Sequence, residues 1–289
     1  ANQTPFYAES GGQTGDAGTA VTEGDAKITI RDTKKGAGKL HVHHGVVDEG
    51  TLKVGDVITL SVDSERRAQI KRNHSATHLL HAALRRHLGD HVVQKGSFVG
   101  ADTFRFDFSN NSAVPTEDLE VIEAEVNAII RQNRDAVTQI LPYDDAIEAG
   151  AMALFGEKYE DEVRVLRLGD DQENAARPYS MELCGGTHVA RAGDIGLFAV
   201  TSEGAVASGI RRIAAVTGAA ARAYLKGQGI AGLAAAGALK VKLEDLPDRI
   251  AALTEDRKRL EKELRAAKKK AAMGGGGAPA TEAVGDFMF

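Results

Sequence analysis

The chain of 289 residues has one cysteine, no tryptophan and no long apolar run. A single cysteine cannot form an internal disulfide, which predicts a reducing, cytoplasmic location and leaves the thiol for metal binding or chemistry. No stretch approaches the roughly 18 apolar residues of a membrane-spanning helix, so we expect no membrane partner. The first residues have neither the basic nor the apolar region of a signal peptide, and the missing initiator methionine indicates a piece of a longer protein.

The chain also has little excess charge of either sign. Its net charge of −5 argues against broad electrostatic capture of nucleic acid, although local basic patches are compatible with it. Hydrophobic residues make up 43% of the chain and charged residues 27%, which is typical of a soluble globular protein. The length suffices for one large domain or two ordinary domains with hydrophobic cores.

Two short motifs with metal-ligand spacing lie about a hundred residues apart. His74 and His78 are four residues apart, so on a helix both imidazoles lie on one face, one turn apart. Cys184 and His188 have the same spacing, with two glycines and a threonine between them. Thiolate and imidazole ligands suit zinc (Zn2+), so these four side chains predict a zinc site if the fold brings them together.

A plainer interpretation of these residues remains open. The histidine pair could belong to an ordinary polar helix face, and Cys184 could be a small buried hydrophobic residue. The chain contains a second histidine pair of the same spacing, His87 and His91. Gly89 between them favours the end of a helix, so this pair is not expected to share a face.

The order of predicted elements indicates an α+β fold. Residues 1–63 contain short alternating runs separated by glycine and aspartate turns, which predict a small barrel or curled sheet, a β-barrel-like domain with a glycine-rich loop. Residues 64–225 begin with a long helix over 64–88 that Gly89 ends. Strands with interspersed helices follow, so this part is predicted to be a mixed α+β domain.

The C-terminal part has a different pattern. From Leu246, apolar residues recur at alternating steps of four and three, interrupted by Arg257, so residues 226–273 are predicted to form a long helical or coiled-coil arm. Such a short stripe can pack on its own domain or on a partner, so self-association into a homo-oligomer stays open. Residues 274–289 are predicted to be a glycine linker and the start of a missing C-terminal domain.

Five longer motifs follow one another along residues 1–225. They are TPFYAESGGQ at 4–13, RNHSATHLLH at 72–81, QKGS at 94–97, ELCGGTH at 182–188 and GIRRI at 209–213. Together they resemble the editing region of bacterial alanyl-tRNA synthetases, and the two metal motifs are also similar to those of free-standing alanyl-tRNA editing proteins. The helical arm and the glycine linker resemble the passage of that enzyme into its C-terminal domain.

The resemblance implies hydrolysis of the ester that joins the wrong amino acid, serine or glycine, to the acceptor end of tRNA(Ala). It implies zinc as the cofactor. The family's metal ligands, active-site glutamine and glycine-rich substrate loop fall on His74, His78, Cys184, His188, Gln94, Gly11, Gly12 and Gln13. Class II aminoacylation motifs are absent, so this chain is not expected to charge tRNA.

Further candidates accompany these residues. The site must spare alanine, so polar groups near the serine hydroxyl should help discrimination, and Thr77 joins Gln94 as a candidate catalytic residue for this reason. Arg72, beside the first metal motif, and Arg211 and Arg212, in the last motif, are candidate substrate contacts.

Other zinc chemistries fit less well. A zinc protease of the His-Glu type has a glutamate directly after the first histidine, where this chain has Ser75. A zinc deaminase would require His-x-Glu and Cys-x-x-Cys, and neither occurs. The alternative from another class is a non-catalytic, zinc-stabilised tRNA-binding module with a coiled-coil arm. Four protein ligands normally indicate a closed structural zinc, so the role of the metal is open between ester polarisation, water activation and substrate positioning.

Overall fold

The computed structural model describes residues 1, 3–38, 40–153, 159–171, 174, 177–274, 283–284 and 287–288. The chain divides into two compact units, Ala1–Leu225 and Lys226–Phe289. Every strand pairing in the described sheets is antiparallel, and five α-helices accompany the sheets. The α+β class predicted from the sequence is therefore confirmed.

The N-terminal residues form an open four-stranded sheet. Its strands are β1 (Gly18–Thr22), β2 (Lys27–Lys35), β3 (His41–Glu49) and β4 (Ile58–Val62), arranged in the order β3-β2-β1-β4. Phe6, Ala20 and Ile30 form a small core on one face of this sheet. The barrel predicted for residues 1–63 is not seen in the described residues. Both β3 and β4 are edge strands, and four short strands are too few to enclose a packed interior.

Helix α1 (Ser64–Leu88) follows the sheet and carries the first metal motif. Asp63 caps its start, because its carboxylate accepts a hydrogen bond from the backbone N–H of Arg66 at 2.9 Å. Gly89, with a φ of 113°, ends the helix where the sequence predicted. The buried face of α1 includes Leu79, Leu80, Ala83 and Leu84. Because this face lies in the main hydrophobic core, the polar side chains on the same face are buried with it.

Two further sheets and helix α2 (Thr116–Gln132) complete the first unit, with a short helix α3 (Tyr143–Glu148) beside them. One sheet contains β5 (Gln94–Val99), β6 (Phe104–Ser109), β10 (Phe198–Ala207) and β11 (Ile210–Thr217), in the order β10-β11-β6-β5. The other contains β7 (Val137–Pro142), β8 (Glu162–Asp170) and β9 (Pro178–Leu183), in sequence order. Both β5 and β9 contact α1, so the chain segments beside these strands lie near its histidines.

The C-terminal unit is mostly helical. Helix α4 (Gly218–Ala238) continues into it from the first unit, and α5 (Leu246–Gly274) follows a short 3-10 helix at Leu243–Asp245. The long helix predicted from Leu246 is thus present, and part of its apolar stripe is exposed at Ile250, Leu253, Leu260 and Leu264. Strands β12 (Ala283–Val284) and β13 (Phe287–Met288) pair with each other, whereas most of the predicted glycine linker lies outside the described residues. In the described part of the chain, no helix is long and apolar enough to cross a membrane.

Candidate metal centre

Helix α1 places the first two predicted ligands side by side. The imidazole rings of His74 and His78 are stacked, with ring centroids 5.2 Å apart and an interplanar angle of 27°. Both side chains are buried, as is Thr77 between them, whose hydroxyl donates to the backbone carbonyl of His74 at 2.6 Å. The four-residue spacing therefore has the effect predicted for a helix.

The loop after β9 brings the other two predicted ligands to this face of the helix. The backbone N–H of Cys184 donates to the carbonyl of Arg164 on β8, and the Arg164 side chain donates to the carbonyl of Gly186. Gly186 itself lies against His74. A Cβ at this position would lie 2.1 Å from Cε1 of His74, so the close approach requires glycine. The second glycine between Cys184 and His188 therefore has a steric role.

The four predicted ligands converge on one point. One ligand atom from each of His74, His78, Cys184 and His188 lies within 4.8 Å of the others. The thiol Sγ is 3.5 Å from Nε2 of His74 and 3.2 Å from Nε2 of His188. The cluster formed by these four residues could hold a metal ion.

Each imidazole of the cluster is oriented by a contact on the ring nitrogen that faces away from it. The contacts join Nδ1 of His74 to Oε1 of Gln13 (2.7 Å), Nδ1 of His78 to Oε2 of Glu182 (2.7 Å), and Nδ1 of His188 to Oγ of Ser75 (3.2 Å). A partner on Nδ1 leaves the Nε2 lone pair for the inner side of the cluster. Such outer partners fix the tautomer and orientation of metal-binding histidines in proteins generally.

The ligand atoms of the cluster fit a bound cation. Nε2 of His78 is buried and has no hydrogen-bond partner among the described residues. A buried polar atom without a partner costs free energy, and a cation between the ligands would supply the partner. Because the remaining donors are two imidazoles and a thiol, the residues present fit Zn2+.

The electrostatics of the cluster also favour a divalent cation. Burial alone would raise the pKa of the Glu182 carboxyl, but His78 and His81 beside it lower that pKa below its usual range. Burial opposes ionisation of Cys184 too, yet the nearby His74 and His78 and the hydrogen bonds from the cluster lower the thiol pKa well below its usual value. Burial alone would lower the pKa of the His78 imidazole, but Glu182 and Cys184 raise it to about 10, so a cation would take the place of this proton between two negative side chains. Burial lowers the pKa of His188 to about 3, which keeps this ligand neutral.

A cavity of about 300 Å³ opens beside the cluster. One part of its wall is formed by Thr77 and three members of the cluster, His74, His78 and Cys184, and another by Gln94 at the start of β5. The N-terminal part of the chain contributes Tyr7, Ala8, Ser10, Gly11, Lys35 and His41. The cavity is therefore bounded jointly by residues of the N-terminal sheet region and by the metal motifs.

Predicted substrate residues in the glycine-rich loop divide into two groups. Gly11 lines the cavity, whereas Gly12 packs against β5, with its carbonyl accepting from the N–H of Val99 at 2.8 Å. Gln13 is fully buried, and its amide is used within the protein: Oε1 accepts from the N–H of Thr187 at 2.9 Å, and Nε2 donates to the Thr187 hydroxyl at 2.8 Å. Gln13 thus supports the metal motif directly.

The three predicted arginines lie outside the cavity wall. Nε of Arg72 donates to the backbone carbonyl of Asp194 at 3.0 Å. Arg211 forms a two-bond ion pair with Glu203, and Arg212 forms one with Asp107, with N–O distances of 2.6 to 2.7 Å. Because these carboxylates lie on neighbouring strands, the two pairs brace β11 against β10 and β6.

Sequence reasoning missed the outer partners, above all Glu182. Its carboxylate bridges two histidines, because the other oxygen lies 3.0 Å from Nδ1 of His81. Two signals were available in the sequence. His81 follows His78 by three residues, which places it on the same helix face, and Glu182 precedes Cys184 by two residues on a strand, which places both on one side.

Two protein-family models match parts of the chain. The model described as tRNA synthetases class II (A) matches residues 1–66, and the model described as threonyl and alanyl tRNA synthetase second additional domain matches residues 163–214. The second match contains Cys184 and His188. Fold, cluster and matches together place the chain among proteins related to tRNA synthetases.

More particularly, the chain is related over almost its whole length to a segment of alanine-tRNA ligases. It is 56% identical to the Parvibaculum lavamentivorans protein over 276 residues, which cover 96% of this chain and 31% of the relative. It is 56% identical to the Sphingopyxis alaskensis protein, covering 100% of this chain and 33% of the relative, and 58% identical to the Hyphomonas neptunium protein, covering 96% and 31%. The chain spans about a third of the length of these relatives. The resemblance to alanyl-tRNA synthetases is confirmed.

Proposed function

We propose that this chain hydrolyses the ester of Ser-tRNA(Ala) and Gly-tRNA(Ala), as the editing part of an alanyl-tRNA synthetase. The observation that carries the proposal is the convergence of the four predicted ligands beside a cavity in a relative of alanine-tRNA ligases. Within this proposal, residues 64–225 are the editing domain, residues 1–63 contribute one wall of the site, and residues 226–273 form the arm.

Such an activity is needed because an aminoacylation site cannot reject every wrong amino acid. An aminoacylation site that accepts alanine cannot exclude glycine, which is smaller. An apolar site also rejects an amino acid with one extra hydroxyl only about a hundredfold. Errors must then be removed at a second site that recognises what the first site tolerates. That second site requires polar groups near the serine hydroxyl, since alanine offers nothing for them to bind.

The metal in the proposal is held by His74, His78, Cys184 and His188. When bound, Zn2+ can act as a Lewis acid or position a substrate, although four protein ligands are typical of sites where it organises the surrounding residues. We therefore assign the cluster to organising the cavity wall. The histidine rings and the Cys184 loop then hold α1 and β9 at a fixed separation, and Thr77 and Gly185 are held with them.

Gln94 and Thr77 are the residues that we assign to substrate discrimination. Gln94 lines the cavity, and its side-chain amide has no hydrogen-bond partner among the described residues, so it is free to bind a substrate hydroxyl or amine. The Thr77 hydroxyl donates to His74, but its oxygen can still accept a hydrogen bond from the substrate. We keep Arg72 as a candidate phosphate contact and assign Arg211 and Arg212 to bracing the sheet.

A second function is favoured by the exposed apolar stripe on α5 and by the closed ligand set. In this alternative the chain is a zinc-stabilised module that binds tRNA(Ala) without turnover and self-associates through α5. Incubation of the chain with Ser-tRNA(Ala) and Ala-tRNA(Ala), with and without a chelator, separates the two functions. Selective, chelator-sensitive loss of the seryl ester supports the hydrolase, and binding without loss of either ester supports the module.

A further inference from the structure

The mouth of the cavity carries two nitrogen-bearing side chains on neighbouring strands. Lys35, the last residue of β2, is directly opposite His41, the first residue of β3, in the antiparallel ladder. Residues opposite each other in such a ladder project to the same face of the sheet. Both side chains line the cavity, so this face is the one that looks onto the metal cluster.

The ammonium group of Lys35 differs from that of its neighbour Lys34 in its partners among the described residues. Nζ of Lys35 donates to the hydroxyl of Ser10 at 2.7 Å, and no carboxylate of a described residue forms an ion pair with it. The adjacent Lys34 differs in this respect, because its Nζ lies 3.8 Å from Glu9 and 3.6 Å from Asp32. Successive residues of a strand project to opposite faces, so Lys34 points away from the side that Lys35 occupies.

The groups around Lys35 are arranged as hydrogen-bond donors. An ammonium has three donors, and Ser10 uses one of them. The Ser10 hydroxyl accepts from Lys35, which leaves its own proton to donate. Nδ1 of His41 donates to the carbonyl of Phe6 at 3.1 Å, so Nε2 of the neutral ring is an acceptor and His41 is not one of these donors. An ammonium with two unused N–H donors and a neighbouring hydroxyl donor form a site for an anion with several acceptor oxygens.

We propose that Lys35 and Ser10 bind a phosphodiester group of the RNA strand whose aminoacylated end enters the cavity. This assignment rests on the proposed function, because that function supplies an ester attached to a nucleotide. In the 3′-terminal nucleotide, the ester is attached at the 3′ end of the sugar and the phosphate at its 5′ end. With the ester beside Gln94 and the metal cluster, that phosphate comes to the mouth of the cavity, where Lys35 is located.

Lys35→Ala in the complete chain tests the proposal, with Lys34→Ala as the matched control. The first measurement is the binding of an RNA hairpin that has the acceptor stem and 3′ end of tRNA(Ala) and carries no amino acid. The affinity is measured at several salt concentrations. Lys35→Ala should weaken binding about tenfold at low salt. It should also reduce the slope of log affinity against log salt by about 0.7, the value for one phosphate contact on a single strand. Lys34→Ala should change neither quantity, and equal effects of the two substitutions would overturn the proposal.

The second measurement is hydrolysis of two esters, Ser-tRNA(Ala) and 3′-seryl-adenosine, which has no phosphate. Lys35→Ala should raise KM about tenfold for the tRNA and leave kcat/KM for seryl-adenosine unchanged. Equal losses on both esters would overturn the proposal, because they would place Lys35 in the chemistry. If the unsubstituted chain hydrolyses neither ester while Lys35→Ala still weakens RNA binding, the proposed hydrolase fails and the phosphate site stands.

Discussion

Glu182→Gln is the substitution for which the structure gives the clearest expectation. The Glu182 carboxylate accepts hydrogen bonds from Nδ1 of His78 at 2.7 Å and from Nδ1 of His81 at 3.0 Å, and the residue is 5% exposed. Glutamine has the same shape but only one acceptor oxygen. Its NH2 group would face one of the two histidine N–H donors, so one buried donor would lose its partner.

The size of the effect follows from two independent estimates. Leaving one buried donor without a partner costs about 1–3 kcal/mol. Loss of an outer partner of a metal-binding histidine lowers metal affinity about 10- to 100-fold, which is about 1.4–2.8 kcal/mol. The second range of free energies lies within the first. We therefore expect Glu182→Gln to weaken zinc binding by about one to two orders of magnitude.

Competition titration of zinc against a chelator of known affinity measures this effect, and unfolding of the zinc-loaded protein measures the accompanying loss of stability. Glu203→Gln is the matched control, because it makes the same chemical change in a carboxylate that pairs with Arg211 outside the cavity wall. Its zinc affinity should equal that of the unsubstituted chain. Unchanged zinc affinity in Glu182→Gln would refute the reasoning, since the outer bond to His78 would then have no influence on the cluster.

Three further outcomes are expected. Cys184→Ala should reduce zinc content and Ser-tRNA(Ala) deacylation together, and turnover at the unsubstituted rate would remove Cys184 from the site. Gly12→Ala should lower the free energy of unfolding in urea by about 1–3 kcal/mol, because φ is +83° and a Cβ would lie 2.6 Å from the carbonyl oxygen of Ser97. Gly11→Ala, which has open space around its Cβ position, should lose less; a larger loss there would contradict the packing argument. Gln94→Ala should lower kcat/KM for the seryl ester about two- to tenfold at unchanged zinc content, and a parallel loss of zinc would instead place Gln94 in the metal centre.

The cluster of four candidate ligands could be predicted from the sequence because much of the information is local. Two histidines four residues apart share a helix face whatever surrounds the helix, and the bounds of α1 follow from Asp63 and Gly89. The loop with the only cysteine supplies the other ligand types that zinc prefers. The sequence leaves open whether the two motifs meet. In the structure they do, because one potential ligand atom from each of the four residues lies within 4.8 Å of the others.

The wall of the cavity could not be predicted in the same way. Arg211 and Arg212 are predicted substrate contacts because they lie in one of the five motifs, and the ion pairs that such arginines form depend on the strands beside them. Here the antiparallel register places Arg211 in reach of Glu203 and Arg212 opposite Asp107. Sequence patterns do not report that register, since strands far apart in the chain determine it. The barrel predicted for residues 1–63 is not seen in the described residues for a related reason. Whether a sheet closes into a barrel depends on pairing between its two edge strands, here β3 and β4.

The boundary predicted at residues 63 and 64 separates two sheets, but residues of the candidate site lie on both sides of it. Gln13 lies 61 residues before His74, yet its buried amide holds both His74 at 2.7 Å and the backbone N–H of Thr187 at 2.9 Å. The N-terminal part therefore orients His74 and the loop that carries Cys184 and His188. Gln13→Leu keeps the volume of the side chain and removes these bonds, so zinc affinity should fall at least about tenfold. Gln13→Glu keeps the acceptor oxygen towards His74 and should bind zinc more tightly than the leucine variant. Equal, unchanged affinities in both variants would mean that the metal centre is built by residues 64–225 alone.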